Sequence, residues 1–222
     1  MTVLQFILVF FIFSFVGWVY ESVLCSEVKY HKLINRGFLM GPYCPIYGAG
    51  IILNWLILSK TENLIAIFFT SAVVCCIVEY VASYFMELLF HARWWDYSQI
   101  PFNLNGRVCL FGGIVFGLGN LGLIKFAYPF TLNLLNKMSV TVQAVAAIIL
   151  CFIFIMDIII TTKNASKFTN KVQQLRDKAS EFTKAVTGGK AFTHGEKRFL
   201  KAFPNFHSKN YQSIIEKIKE YL

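Results

Sequence analysis

Five long apolar runs, separated by short polar segments, leave this chain one solvent in which to fold. They lie at about residues 6–24, 38–58, 64–90, 108–124 and 138–160. A helix needs about 20 mostly apolar residues to cross a bilayer core roughly 30 Å thick, and each run meets or approaches that length. Only 15% of the residues are charged, against about 25% in soluble domains. That excludes a soluble enzyme, a disordered chain and a disulfide-stapled secreted module. The expected fold class is an all-α integral membrane protein: five transmembrane helices in two tandem two-helix repeats plus one, with a cytoplasmic helical tail. Residues 1–162 form the expected transmembrane domain and residues 163–222 the basic tail.

Charge sets the expected orientation. Of the formal +9, the residues from Lys163 onward hold +8, with 13 Lys+Arg against 5 Asp+Glu. Cytoplasmic segments carry an excess of Lys and Arg. With the N-terminus outside, the inner side holds Lys29, Lys32, Arg36, Arg93, Arg107 and the tail, and the outer side only Lys60, Lys125 and Lys137. The first run lacks a basic stretch before it and an A-x-A-like site after it, so it is expected to stay as a signal anchor. Phe126–Asn136, with Pro129 inside, reads as an interfacial segment or an extension of the fourth span. In the tail, Val172, Leu175, Ala179, Phe182 and Val186 recur at helical spacing before Gly188–Gly189. A second helix near Gln212–Leu222 gathers Ile214, Ile215, Ile218 and Leu222. Such helices suit packing together, anionic headgroups or a docked partner; nucleic acid is not expected. The cysteines Cys25, Cys44, Cys75, Cys76, Cys109 and Cys151 form no CxxC pair and read as small buried hydrophobes.

One pattern occurs twice. GWVYES, a basic loop and NRGFLMGPYCPIYGAG are followed later by CIVEYV, a loop and WWDYSQIPFNLNGRVCLFGGIVFGLG. Each copy sets a glutamate in an apolar helix (Glu21, Glu79), then Asn and Arg beside Gly (Asn35–Arg36–Gly37; Asn105–Gly106–Arg107), then a Gly-interrupted span. Two spans per copy imply copies of one orientation, unlike inverted-repeat transporters.

Charge inside a bilayer is costly and usually faces a bundle interior or a wet cavity. Glu79 lies deep in its run, Glu21 nearer the inner boundary, and Glu87 two turns beyond Glu79 on the same face. Arg36 and Arg107 are their natural partners. Gly41, Pro42, Pro45 and Gly48 preclude a regular helix start, so a broken entrance lined by Tyr43 and Tyr47 is expected. Trp94 and Trp95 suit an interfacial anchor. Asp96, beside Tyr97, suits a cap or a pair with Arg36 or Arg107. His31, His91, His194 and His207 show no metal-ligand spacing, and Gly188-Gly189-Lys190 is no P-loop. Neither a metal, a cofactor nor a bound nucleotide is expected on this chain.

These motifs, GW-x-x-E, NRGFL-x-GP-x-x-PIYG-x-G, E-Y…E…F-x-A-R-W-W-D-Y-S and PFN-x-NGR-x-C-L, cover about Leu4 to Ile124. They resemble the CmpB-like family of bacterial membrane proteins, labelled type IV ABC transporters. The resemblance implies a multi-pass inner-membrane permease whose ATPase, if one drives it, is a separate chain. It carries over Glu21, Asn35, Arg36, Gly37, Gly41, Pro42, Pro45, Tyr47 and Gly48 from the first half. From the second it carries Glu79, Trp95, Asp96, Tyr97, Asn105, Gly106 and Arg107. The leading expectation is a transporter or permease subunit in the cell membrane, with a polar cavity open to the cytoplasm. Glu21, Asn35, Arg36, Glu79, Glu87, Asn105 and Arg107 would line it, with Tyr47, Trp95, Asp96 and Tyr97 at its mouth. Two rivals stay open: a membrane enzyme acting on lipid headgroups or phosphates, and a scaffold recruiting a partner through its tail. Membrane lipids, a second copy of the chain and a separate ATPase or other cytoplasmic protein are the partners these readings allow.

Overall fold

A computed structural model describes residues 1–25 and 34–177. Cys25's side chain, Lys29, His31, Lys32 and the tail helices anticipated beyond Asp177 lie outside the described residues.

The chain is mostly helical. Helix α1, Val3–Val19, starts on a Thr2–Gln5 capping box and runs into a π-helical turn, Tyr20–Cys25. After an irregular segment, α2 spans Pro45–Leu58 with Pro45 in its first turn, where a missing N–H costs no bond. Helix α3, Leu64–Phe90, is capped by the Asn63 side chain and ends on His91 in the left-handed region. A two-stranded hairpin follows, β1 (Asn103–Leu104) against β2 (Val108–Cys109). Its tip places Asn105 at φ 53 and Gly106 at φ 67, with the Arg107 N–H donating to the Leu104 carbonyl at 3.0 Å. That left-handed pair is why Asn-Gly stands there. Helix α4, Leu110–Gly122, passes through a second π turn, Leu123–Ala127, into α5, Tyr128–Asn136. The last helix, α6, spans Val140–Asp177.

Among the described residues, four helical stretches are long and apolar enough to cross a membrane: Val3–Val23, Leu64–Phe90, Leu110–Asn136 and Val140–Lys171. The expected 38–58 span is helical only from Pro45, and its 14 residues rise about 21 Å. Gly41 and the two prolines leave the preceding segment irregular. The fourth span begins at Leu110, because Val108 and Cys109 are spent on the hairpin. It extends through 126–136 rather than ending at 124, because Pro129 enters in the first turn of α5, just past the π turn. The fifth run does not stop at 160, and its helix carries through residue 163.

Side-chain contacts fix the two ends of the bundle. At one end the Gln5 amide donates to Asn136 at 2.8 Å, joining the start of α1 to the finish of α5. At the other, the π turn after α1 meets the start of α2, and the corner before α2 meets the middle of α6. An apolar core fills the first end: Leu8, Val9, Phe13, Ile51, Leu58, Ile67, Ile124, Tyr128, Leu135 and Ala147, with Trp55 stacked on Tyr128. Helix α3 shows why this is a membrane fold. Ile65, Phe69, Val73, Ile77, Val81 and Phe85, at four-residue steps, stand exposed, while Ser71, Glu79 and Ser83 of the opposite stripe are buried. Polar-in and apolar-out is the arrangement lipid selects.

Candidate functional site

The first half of the site is built where α1 widens into its π turn. Single π turns in helices recur at functional sites, and this one holds Glu21. The Tyr47 hydroxyl, from the first turns of α2, donates to Glu21 Oε1 at 2.7 Å. Arg36 Nε lies 3.9 Å from Glu21 Oε2, and the Arg36 N–H donates to Ser22 Oγ at 3.1 Å. Asn35 fastens this loop to the helix: its Oδ1 accepts from Trp18 Nε1 at 2.9 Å and from the Gly37 N–H at 3.0 Å. Its Nδ2 donates to the Met40 carbonyl at 3.0 Å.

The second half gathers at the far end of α3. The Tyr97 hydroxyl donates to Glu79 Oε1 at 2.9 Å. Burial, and then the charge of Glu79, push the Tyr97 phenol well above its ordinary range, so it remains a proton donor. Arg107 does not reach Glu79. Its Nη2 donates to Glu87 Oε2 at 2.7 Å and its Nη1 to Ser83 Oγ at 3.1 Å, and its guanidinium lies 5.5 Å from the ring centres of Tyr80 and Tyr84. Arg93 Nε also donates to Glu87, at 2.8 Å, making that carboxylate a node between two arginines. Asp96 accepts from the Ser98 N–H and hydroxyl at 3.0 and 2.8 Å and lies 3.9 Å from Arg93. It therefore serves as a cap, and the arginine beside it is Arg93. Trp95 Nε1 donates to the Arg107 carbonyl at 3.2 Å, and Asn105 Nδ2 to the Tyr80 hydroxyl at 3.0 Å. Trp94 is buried against Phe38 and Phe90.

Replacing Glu87 by alanine strands the buried Arg107 guanidinium. The expected loss is about 3–5 kcal/mol, read as a lowered thermal unfolding midpoint of the purified protein in detergent. Arg107→Ala should cost less, because Glu87 keeps Arg93.

Two glycines bring neighbouring helices into close contact. The Gly48 Cα faces the Phe10 carbonyl and Ser14, so that an added Cβ would overlap both. A Cβ on Gly117 would meet the Phe68 ring at 2.7 Å and its carbonyl at 3.0 Å. Phe10 stands eleven residues before Glu21, and Phe68 eleven before Glu79. In each half a glycine seats one helix on the other's backbone, as small residues do in membranes, and a tyrosine answers the glutamate.

Two features were not singled out in the sequence. Ser71, Cys75, Glu79, Ser83 and Glu87 form one four-residue stripe along α3, and Asn54 and Asn120 each donate to Cys75 Sγ at 3.4 Å. The period was readable; serine and cysteine carry too little hydropathy to mark it. The other is Asp157 on α6. It accepts from the Met40 N–H at 3.1 Å, the Gly41 N–H at 2.7 Å, the Tyr43 hydroxyl at 2.6 Å and the Thr161 hydroxyl at 2.7 Å. It pins the irregular Gly41-Pro42-Tyr43 corner against the last helix. A charge inside an apolar run was the available signal.

Among curated proteins and solved structures, nothing matches this chain. A family model described as "Putative ABC-transporter type IV" matches residues 8–162, a stretch that holds both glutamate–tyrosine pairs, both seating glycines and Asp157. The chain belongs to this CmpB-like family of ABC-transporter-type membrane proteins.

Proposed function

We propose that the chain is the membrane component of a transporter, with its solute site between the two helix pairs. In this reading α1 with α2 and α3 with α4 are two copies of one unit. They cross the bilayer in the same sense, and α6 makes a fifth crossing. The short α2 completes its crossing through the irregular 37–44 segment, held by Asn35 and Asp157. The N-terminus is outside and the arginine-rich end is cytoplasmic, as the distribution of Lys and Arg favours. Glu21 and Glu79 face the solute, Tyr47 and Tyr97 orient them, and Arg36 balances the charge at the mouth. Glu87, Arg93 and Arg107 hold the second pair in shape. An ATPase, on a separate chain, would engage the cytoplasmic end.

The observation that carries this reading is the paired arrangement itself: two carboxylates within the helical stretches, Glu79 buried and Glu21 half-buried, each accepting a hydrogen bond from a tyrosine hydroxyl. A structural ion-pair lock would set each glutamate on an arginine, and Glu79 makes no ion pair among the described residues. The test is a comparison of polar metabolites inside and outside native cells lacking the chain, by mass spectrometry. At least one solute is expected to shift its distribution several-fold on deletion. Wild type should restore it, and a Glu21→Gln/Glu79→Gln double variant present at equal level in the membrane should not. Full rescue by that variant removes the site, and no shifted solute removes the transport reading.

A further inference from the structure

Two carboxylates lie deep among the described helices, at nearly the same exposure, and the fold treats them in opposite ways. Asp157 is 8% exposed and Glu79 7%. Asp157 receives two backbone N–H groups and two hydroxyls. A carboxylate with that many donors is stable as an anion even away from water, because hydrogen bonds to the charged form replace its hydration. Glu79 receives one donor, the Tyr97 hydroxyl, and no ion pair among the described residues. Its surroundings are otherwise neutral or negative. Cys75 and Cys76 lie on its own helix, Cys109 stands at the start of α4, and Glu21 lies in the π turn that follows α1. Arg107, which reaches Ser83 one turn along the same face, is committed to Glu87 and Ser83.

We propose that Glu79 is a proton-binding site, a carboxyl that loads and releases a proton within the membrane, while Asp157 is a fixed anion. A buried carboxylate with a single hydroxyl donor and no cation is costly as an anion, and uptake of a proton is the smallest change that relieves that cost. Glu21 has Arg36 beside it, so the proton settles on Glu79. Ionised Glu79 keeps the Tyr97 hydrogen bond; protonated Glu79 gains an O–H of its own and sheds the buried charge. This deepens the transport reading, naming the proton as the ion bound at that site. It rests on that reading for its role in the cell, but its test needs no transported solute.

The experiment is infrared difference spectroscopy of the purified full chain, titrated between about pH 5 and about pH 9. Wild type is expected to show the carbonyl stretch of a protonated carboxylic acid at the acid end, disappearing as the pH rises. Glu79→Gln should lose that band and Asp157→Asn should keep it. Tyr97→Phe removes the donor to the ionised form, and the titration should move to higher pH by about one unit, a tenfold gain in proton affinity. The proposal is overturned if the band persists in Glu79→Gln, if it vanishes in Asp157→Asn, or if Tyr97→Phe leaves the midpoint in place. It is also overturned if sodium or potassium chloride at fixed pH abolishes the band, because the site would then hold a metal cation. Retained band and shifted midpoint with no metabolite phenotype would leave the proton site standing and remove the transporter.

Discussion

Leucine at Gly48 is expected to prevent α1 and α2 from closing. The obstacle a side chain meets there is the Phe10 carbonyl oxygen together with Ser14, and the backbone of a regular helix cannot step aside as a flexible side chain would. Overpacking a core usually costs about 1–3 kcal/mol; with backbone as the obstacle, the loss should reach or exceed the top of that range. Gly117→Leu is expected to act in the same way through Phe68 and its carbonyl. Gly119→Ala and Gly122→Ala are the controls, since nothing lies within 4 Å of a Cβ at either position. The measurement is the yield of monodisperse protein in detergent and its unfolding midpoint. If Gly48→Leu behaves like Gly119→Ala, the close seating of these helices is wrong.

Asp157→Ala should have the second large effect. It withdraws the acceptor from the Met40 and Gly41 N–H groups and from the Tyr43 and Thr161 hydroxyls at once. A single hydrogen bond between membrane helices averages only about 0.6 kcal/mol, but a stranded donor costs about 1–3 kcal/mol. Two of these are main-chain groups of a segment with no helix to fall back on. A loss of at least about 2 kcal/mol is expected, together with protease sensitivity confined to residues 37–44. Asp157→Asn keeps a carbonyl acceptor and should recover part of the stability. If alanine leaves both the midpoint and the cleavage pattern unchanged, the corner is held by something else.

How much of this was legible in the sequence depends on what each residue signals locally. Glu21 and Glu79 announce themselves, because a lone carboxylate in an apolar run has no neutral explanation. Their tyrosine partners were placed only at a mouth, because Tyr47 and Tyr97 reach them from an adjoining helix and a loop, 26 and 18 residues away. Pairing Glu79 with an arginine was the natural expectation, and it fails because Glu87, two turns further along, offers the guanidinium of Arg107 a shorter reach. The sequence left two readings of Phe126–Asn136 open, an interfacial segment or an extension of the fourth span, and the structure takes the extension. The π turn at Leu123–Ala127 carries the fourth span past Pro129, and hydropathy does not see that. The hairpin at Asn103–Cys109 was readable as NGR but not as paired strands, because it is shorter than any periodic signal.

The last helix adds a mechanical corollary. Val140–Asp177 continues as one helix of 38 residues, about 57 Å long, and Asp157 grips the bundle near its midpoint. A continuous helix clasped halfway cannot be rotated at its far end without torque arriving at the clasp. Whatever takes hold of the far arm thereby pulls on Gly41 and Tyr43, a few residues from the hydroxyl that steers Glu21.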